Sequence, residues 1–456
     1  MFSNFKSSKH QQYLAQLYLA QLPKIIQRAA DIQTLYSPTA FRNALLNAIS
    51  GAKHRIYLVA LYLEQDQGGQ VILDALYQAR QINPHLEVAV LVDWHRAQRS
   101  RIGSNTNYTN ADWYCHMAKL YQGVEVPVYG VPVNTREALG VLHLKGFIID
   151  DNVIYSGASL NNVYLHQKDK YRYDRYQIIR NPLLAESLLS YIQNQFFTAQ
   201  AVNRLDDSIH PKRFQIKHYT KLFRQSLREA GYRYEGKAAL NELAITPLVG
   251  LGKNNILNNT IHNLICAANT SIRLCTPYFN MPARLVRDLV SQLRQGKQVE
   301  VIIGDKTAND FYLPADQPFQ IIGVLPYLYE INLRNFLNRL QCYIDNGQLM
   351  VRLWKKGENS YHVKGMWVDD EWLLLTGNNF NPRSWRLDLE NALLIHDPQH
   401  QLYDQREQEL AFIRTDTQVV FHFTELQSIA DYPVKVRKLI RRLRPILIDR
   451  LISQIL

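Results

Sequence analysis

Apolar positions along the chain fall into short continuous runs, separated by longer stretches in which every third or fourth position is apolar. The runs at 55–62, 87–93, 271–278 and 298–305 are rich in Val, Ile, Leu and Tyr, as strands covered on both faces are. The periodic stretches from about 38, and at 69–81, 255–268 and 282–295, predict helices. One more strand follows in each half, at 124–129 and at 349–354. Strands alternating with helices predict an α/β fold with a mostly parallel sheet, and the recurrence of the whole series predicts a duplicated domain. The expected boundaries are a leader helix over 1–36, a first half over 37–202, a helical connector over 203–236, a second half over 237–420, and a basic amphipathic segment over 421–456. In the leader, Leu14, Leu17, Leu22, Ile25 and Ile26 are expected to form the apolar face.

Each half ends its strand series on the same three residues at the same spacing. The first is His143-Leu-Lys145-Gly146 with Asp150, and the second is His362-Val-Lys364-Gly365 with Asp369, both H-x-K-x4-D. One such triplet arises easily by chance. Two, at equivalent places in a duplicated domain, point to a site. Alternate residues of a strand share a face, so His and Lys project together. Two such faces meeting across a pseudo-twofold axis would gather two imidazoles and two ammonium groups around one phosphate. One imidazole can then attack phosphorus while the other protonates the leaving oxygen. The ammonium groups offset charge on the phosphoryl oxygens, a task other enzymes give to a metal.

Composition narrows the partners. The 456 residues carry 52 Lys+Arg against 40 Asp+Glu, a formal charge of +12 that suits phosphate-bearing partners. With 46% hydrophobic residues and 27 Tyr the chain is a packed globular one. Four scattered Cys without a C-x-x-C pair argue against a disulfide framework or a zinc knuckle. No cluster with metal-ligand spacing is evident, and neither metal nor cofactor is expected. No apolar run approaches the ~20 residues of a membrane span, and no signal peptide is apparent at the start.

The paired motif resembles the phospholipase D superfamily. Longer stretches resemble the bacterial CDP-diacylglycerol–serine O-phosphatidyltransferases of Gram-negative type: Val92-Asp-Trp-His-Arg-Ala-Gln-Arg99, Tyr171-Arg-Tyr-Asp-Arg-Tyr176, Gly304-Asp-Lys-Thr-Ala-Asn-Asp-Phe-Tyr312 and Leu387-Asp-Leu-Glu-Asn391. The resemblance implies a duplicated phospholipase D-like fold with one active site at the interface of the halves. It implies transfer of a phosphatidyl group from CDP-diacylglycerol to L-serine through a phosphatidyl-histidine. His143 would be the nucleophile, His362 the general acid and then base, and Lys145 and Lys364 the phosphate holders. Asp174 and Glu390 match the family's acidic residues that orient the imidazoles, and Asp150 and Asp369 complete the motifs. Ser159 and Asn379 are the counterparts of the family's phosphate contacts beyond the motif. Arg96 and Lys306 follow strand ends, where α/β folds bind ligands, and are candidates for the CDP pyrophosphate or serine.

A change of acceptor would make the same chemistry a cardiolipin synthase, a phospholipase D or a phosphodiester nuclease. A non-enzymatic binder of anionic lipid would need the tail but not two intact triplets. In that tail Lys435, Arg437, Lys438, Arg441, Arg442 and Arg444 surround an apolar strip of Val434, Val436, Leu439, Ile440 and Leu443. Basic residues interleaved with large aliphatics favour an anionic phospholipid surface over nucleic acid. The expected location is the cytoplasm, on the inner face of the cytoplasmic membrane.

Overall fold

The computed structural model describes residues 8–99, 107–314 and 317–443. Arg444 lies outside them. Two large sheets, of eight and ten strands, stand back to back with helices on their outer faces. In the first half Arg55–Val59, Glu87–Asp93 and Val128–Val131 run parallel. In the second, Ser271–Thr276, Gln298–Gly304 and Leu349–Trp354 do the same. Helices such as Gln67–Ile82 and Ala283–Arg294 make the crossovers.

The expectation of mostly parallel sheets is corrected by the remaining pairings. Phe147–Ile149 and Asn152–Ser156 form an antiparallel hairpin, and Tyr176–Arg180 extends it antiparallel. Gly365–Val368, Trp372–Thr376 and Leu389–His396 repeat that arrangement. The Asp-Asp pair after each motif is the reason. Asp150, Asp369 and Asp370 take positive φ of 51°, 55° and 58°, which turns the chain straight back, and a tight hairpin can only be antiparallel.

The leader does more than make one helix. Its helix spans Ser8–Gln21 and buries Ala15 and Leu19 against the second half, while Leu14 and Leu17 stay partly exposed. The expected apolar face is therefore rotated. Ile25–Ile26 then pairs with the second sheet and Ile32–Leu35 with the first, so this short stretch stitches the halves together. Between the sheets lies a shared core in which Ile148 and Tyr155 pack with Trp367, Leu373 and Leu393.

The tail's apolar strip is also placed. Val436 and Ile440 of helix Val434–Leu443 are buried with Val324, Tyr327 and Tyr432, and Leu439 packs beside them. Burial of two such side chains stabilises by roughly 3–6 kcal/mol, enough to keep the strip on the protein. Lys435, Lys438, Arg441 and Arg442 remain exposed, whereas Arg437 donates to the Ala430 carbonyl at 3.1 Å.

Candidate active site

The motif strands meet where each half lends a short strand to the other. Leu142–His143 pairs parallel with Leu389–His396, which sets Glu390 opposite His143. Ser360–Tyr361 pairs parallel with Arg172–Tyr173, and the His362 N–H donates to the Tyr173 carbonyl at 2.8 Å. Asn391 holds the first exchange in register, accepting from the Lys145 N–H at 2.9 Å and donating to the Lys145 carbonyl at 2.8 Å. The result is one buried cluster containing His143, Lys145, His362 and Lys364.

Each orienting acid comes from the half opposite its histidine. Glu390 Oε2 lies 2.9 Å from His143 Nδ1, leaving Nε2 unengaged by the acid. Burial pushes the Glu390 carboxyl up to about 8. Burial and the neighbouring Lys145 ammonium hold the His143 imidazole well below its ordinary value. Both shifts disfavour charge on this pair, and the contact holds the ring with its Nε2 turned away from the acid.

The second imidazole is held differently. Asp174 Oδ2 lies 3.6 Å from His362 Nδ1 but only 2.7 Å from Lys364 Nζ. Lys364 Nζ and Tyr164 Oη also contact His362 Nδ1, the latter at 3.1 Å. Burial and then Lys364 push His362 down to about 3. Burial would raise the Asp174 carboxyl, but Lys364 and His362 together outweigh it and leave it below its ordinary value. Lys145 is pushed down to about 7 by burial and by the Lys364 charge nearby.

Two glycines make this crowding feasible. A Cβ on Gly157 would sit 2.5 Å from Lys364 Nζ and 2.7 Å from Asp174 Oδ2, and one on Gly377 would sit 2.6 Å from Lys145 Cγ. Each lysine thus crosses the seam over a glycine of the other half, the close approach for which glycine is suited.

The remaining candidates divide. Ser159 is buried and its Oγ accepts from Lys145 Nζ at 3.5 Å. Asn379 donates to Tyr278 Oη at 3.3 Å and leaves its Oδ1 without a protein partner. Arg96 lines a cleft of about 480 Å³ with Tyr62, Glu64, Arg172 and Asp310. Lys306 does not reach it: its ammonium is bound by Glu330 at 2.9 Å and stands against Tyr327 and Tyr432. Asp150 and Asp369 are also not in the cluster. Asp150 accepts the N–H groups of Lys53, His54 and Arg55, and Asp369 those of Asn269, Thr270 and Ser271, clamping the turns that lead into the parallel strands.

Tyr164, Arg172, Asp310 and Asn391 are site residues that sequence reasoning did not single out. Arg172 and Asp310 lay inside stretches already noted, and the alternation Arg172-Tyr-Asp174 was the available signal for a shared face. The reading of no metal-ligand spacing also missed His262 and Cys266, one helical turn apart, which gather with Asp288. That group sits on the outer helices Ile256–Ala267 and Ala283–Arg294, with His262 Nδ1 already 2.6 Å from Asp288.

A duplicated α/β chain with two imidazoles and two ammonium groups at the seam is a phospholipase D-like enzyme. Residues 261–412 match the family model described as cardiolipin synthase, PLD-like domain. Over 456 residues the chain is 62% identical to the CDP-diacylglycerol–serine O-phosphatidyltransferase PssA of Escherichia coli, covering 100% of both. It is 48% identical over 448 residues to the Haemophilus influenzae CDP-diacylglycerol–serine O-phosphatidyltransferase, covering 97% of this chain and 98% of the other. The crystal structure of phosphatidylserine synthase from H. influenzae matches with a TM-score of 0.94 at 47% identity, over 98% of this chain and 100% of that one. The chain belongs to the CDP-diacylglycerol–serine O-phosphatidyltransferase, or phosphatidylserine synthase, family of transferases.

Proposed function

We propose that this chain transfers the phosphatidyl group of CDP-diacylglycerol to L-serine, releasing CMP, by way of a phosphatidyl-histidine at His143. The observation that carries the reading is the pair of imidazoles in one cluster, each with its Nδ1 against a carboxylate of the other half. In the first step His143 Nε2 attacks the phosphatidyl phosphorus, an N–P bond forms, and the pyrophosphate P–O bond breaks. CMP departs and takes a proton from His362 Nε2 as Lys364 hands one to His362 Nδ1, so the ring stays neutral and the relay reverses in the second step. The imidazolium formed at His143 keeps its Nδ1 proton on Glu390, which is better able to accept it as positive charge appears. In the second step His362 removes the serine hydroxyl proton, the serine oxygen attacks phosphorus, and the N–P bond breaks to restore His143. Lys145 and Lys364 hold the phosphoryl oxygens throughout, where low dielectric strengthens their pull. Ser159 through its hydroxyl and Asn379 through the second N–H of its side-chain amide would add hydrogen bonds to the same oxygens.

The acyl chains of the donor lie in a bilayer, and no helix among the described residues is long and apolar enough to cross one. The protein therefore works as a peripheral enzyme at an anionic phospholipid surface on the cytoplasmic side. The exposed basic face of Val434–Leu443, with Arg444 beyond it, supplies the attraction.

Intact-mass analysis after mixing the protein with CDP-diacylglycerol alone tests the chemistry. The expected result is one phosphatidyl adduct, mapped to His143 and discharged by L-serine. Serine-dependent turnover with no adduct at any time, or an adduct on His362, would overturn it.

A further inference from the structure

The cleft beside the second imidazole carries equal numbers of opposite charges. Arg96, Arg99 and Arg172 line it together with Glu64, Asp66 and Asp310. A nucleotide or a sugar phosphate would call for excess positive charge, whereas a balanced cleft complements a zwitterion. Within it Arg172 is joined directly to the catalytic cluster. Its guanidinium lies 4.6 Å above the Tyr164 ring, and Tyr164 Oη is 3.1 Å from His362 Nδ1. Strand alternation places Arg172 on the face of Asp174, roughly 7 Å along the chain, a span comparable with a small amino acid.

The guanidinium has unspent donors. Nη2 binds Asp310 Oδ1 at 2.7 Å, Nη1 makes a long 3.4 Å contact to Tyr62 Oη, the group also bonds the Tyr164 side chain, and the buried Nε has no protein partner. Neither member of the pair is sealed off, since the side chains of Arg172 and Asp310 are 17% and 26% exposed. An ion pair that served only to join the halves would leave these features without a use.

We infer that Arg172 and Asp310 read the two charged ends of the acceptor, Arg172 its α-carboxylate and Asp310 its α-ammonium, with the acceptor hydroxyl at His362. This rests on the transfer proposed above and adds the reason for choosing a zwitterionic alcohol. An acceptor lacking either charge leaves one member of a partly desolvated pair uncompensated, which is the strongest form of discrimination available to a binding site. Arg172 and Asp310 also lie in different halves, so the acceptor subsite forms only when the seam closes.

The test separates the two proposals by reading adduct formation and acceptor use independently. Asp310→Asn and Arg172→Lys are compared with wild type using L-serine, 3-hydroxypropanoate, which lacks the ammonium, and ethanolamine, which lacks the carboxylate. We expect KM for serine to rise about tenfold or more in both variants, with a much smaller change in the rate of adduct formation from CDP-diacylglycerol. The preference for serine over 3-hydroxypropanoate should fall at least about tenfold in Asp310→Asn, and that over ethanolamine similarly in Arg172→Lys. Adduct formation also reports that each variant is folded. Unchanged serine KM and acceptor ratios, or a loss borne mainly by adduct formation in both variants, overturns the assignment. Absence of any adduct in wild type sinks the covalent mechanism instead and leaves the acceptor ratios to judge the cleft.

Discussion

The two halves carry one motif but use it unequally. In the first, Glu390 reaches across the seam to His143 Nδ1 at 2.9 Å, and Lys145 is left with a long contact to Ser159. In the second, Asp174 holds Lys364 at 2.7 Å and stands 3.6 Å from the imidazole, which shares its Nδ1 with Lys364 and Tyr164. The difference is one methylene: glutamate extends to the ring, and aspartate stops at the ammonium. The residue that follows each acid differs as well. Asn391 bonds the opposite motif strand, whereas Arg175 stacks 4.0 Å over Trp367 and is bound by Glu409 at 2.7 Å. A duplicated scaffold thus supplies one imidazole oriented by an acid of its own and one held in a network able to pass protons.

The sharpest way to break this comparison is to delete each imidazole. His143→Ala should reduce phosphatidylserine formation by on the order of 10⁵-fold and abolish the adduct. His362→Ala should cost about 10²–10⁴-fold in turnover while still forming an adduct, because CMP leaves with little help. Intact mass and radiolabelled product give both readouts, and an adduct that survives on the His143 variant alone would exchange the two roles.

A smaller effect distinguishes the acids. Glu390 has its folded value raised to about 8, so between the ordinary glutamate range and that value the folded state holds a proton the unfolded chain has lost. Wild-type stability contributed by this group therefore falls as pH climbs through that window, and Glu390→Gln should flatten the slope. Asp174 has a lowered value, so its contribution is present above the ordinary aspartate range and lost as pH falls through the folded value. Asp174→Asn should accordingly change the acid limb. Melting temperatures from pH 2 to 9 read both, and identical slopes in the two variants would remove the asymmetry.

Only the second half has the tail helix docked against it, and here the expected change in chemistry is smallest. Lys438→Gln/Arg441→Gln/Arg442→Gln should weaken binding to anionic vesicles by about two orders of magnitude at low salt, at about 1 kcal/mol per charge. Turnover of detergent-dispersed substrate should change little. Equal sedimentation of both proteins with the vesicles would place the membrane contact elsewhere.

Much of this was legible beforehand because it is written locally. The parallel strands announce themselves as apolar runs, and His143, Lys145, His362 and Lys364 by their spacing. What joins them is not local. Glu390 and His143 are 247 positions apart, and no periodicity in either segment says that the acid serves the other half's imidazole. Asp150 and Asp369 complete the motifs as supports rather than as chemistry: each binds three backbone N–H groups, a role the spacing alone does not spell out. The tail's amphipathic pattern was equally plain, but a pattern does not say what covers it, and Tyr327, Val324 and Tyr432 do.

The exchanged strands bear on the chain while it is being made. Glu390 lies on a strand near the end of the second half, and the first half emerges from the ribosome with His143 lacking that partner. A chain cut short after the first half carries His143 and Lys145 but lacks Glu390, His362 and Lys364. The complete cluster thus arrives only with the late, long-range closure that finishes folding.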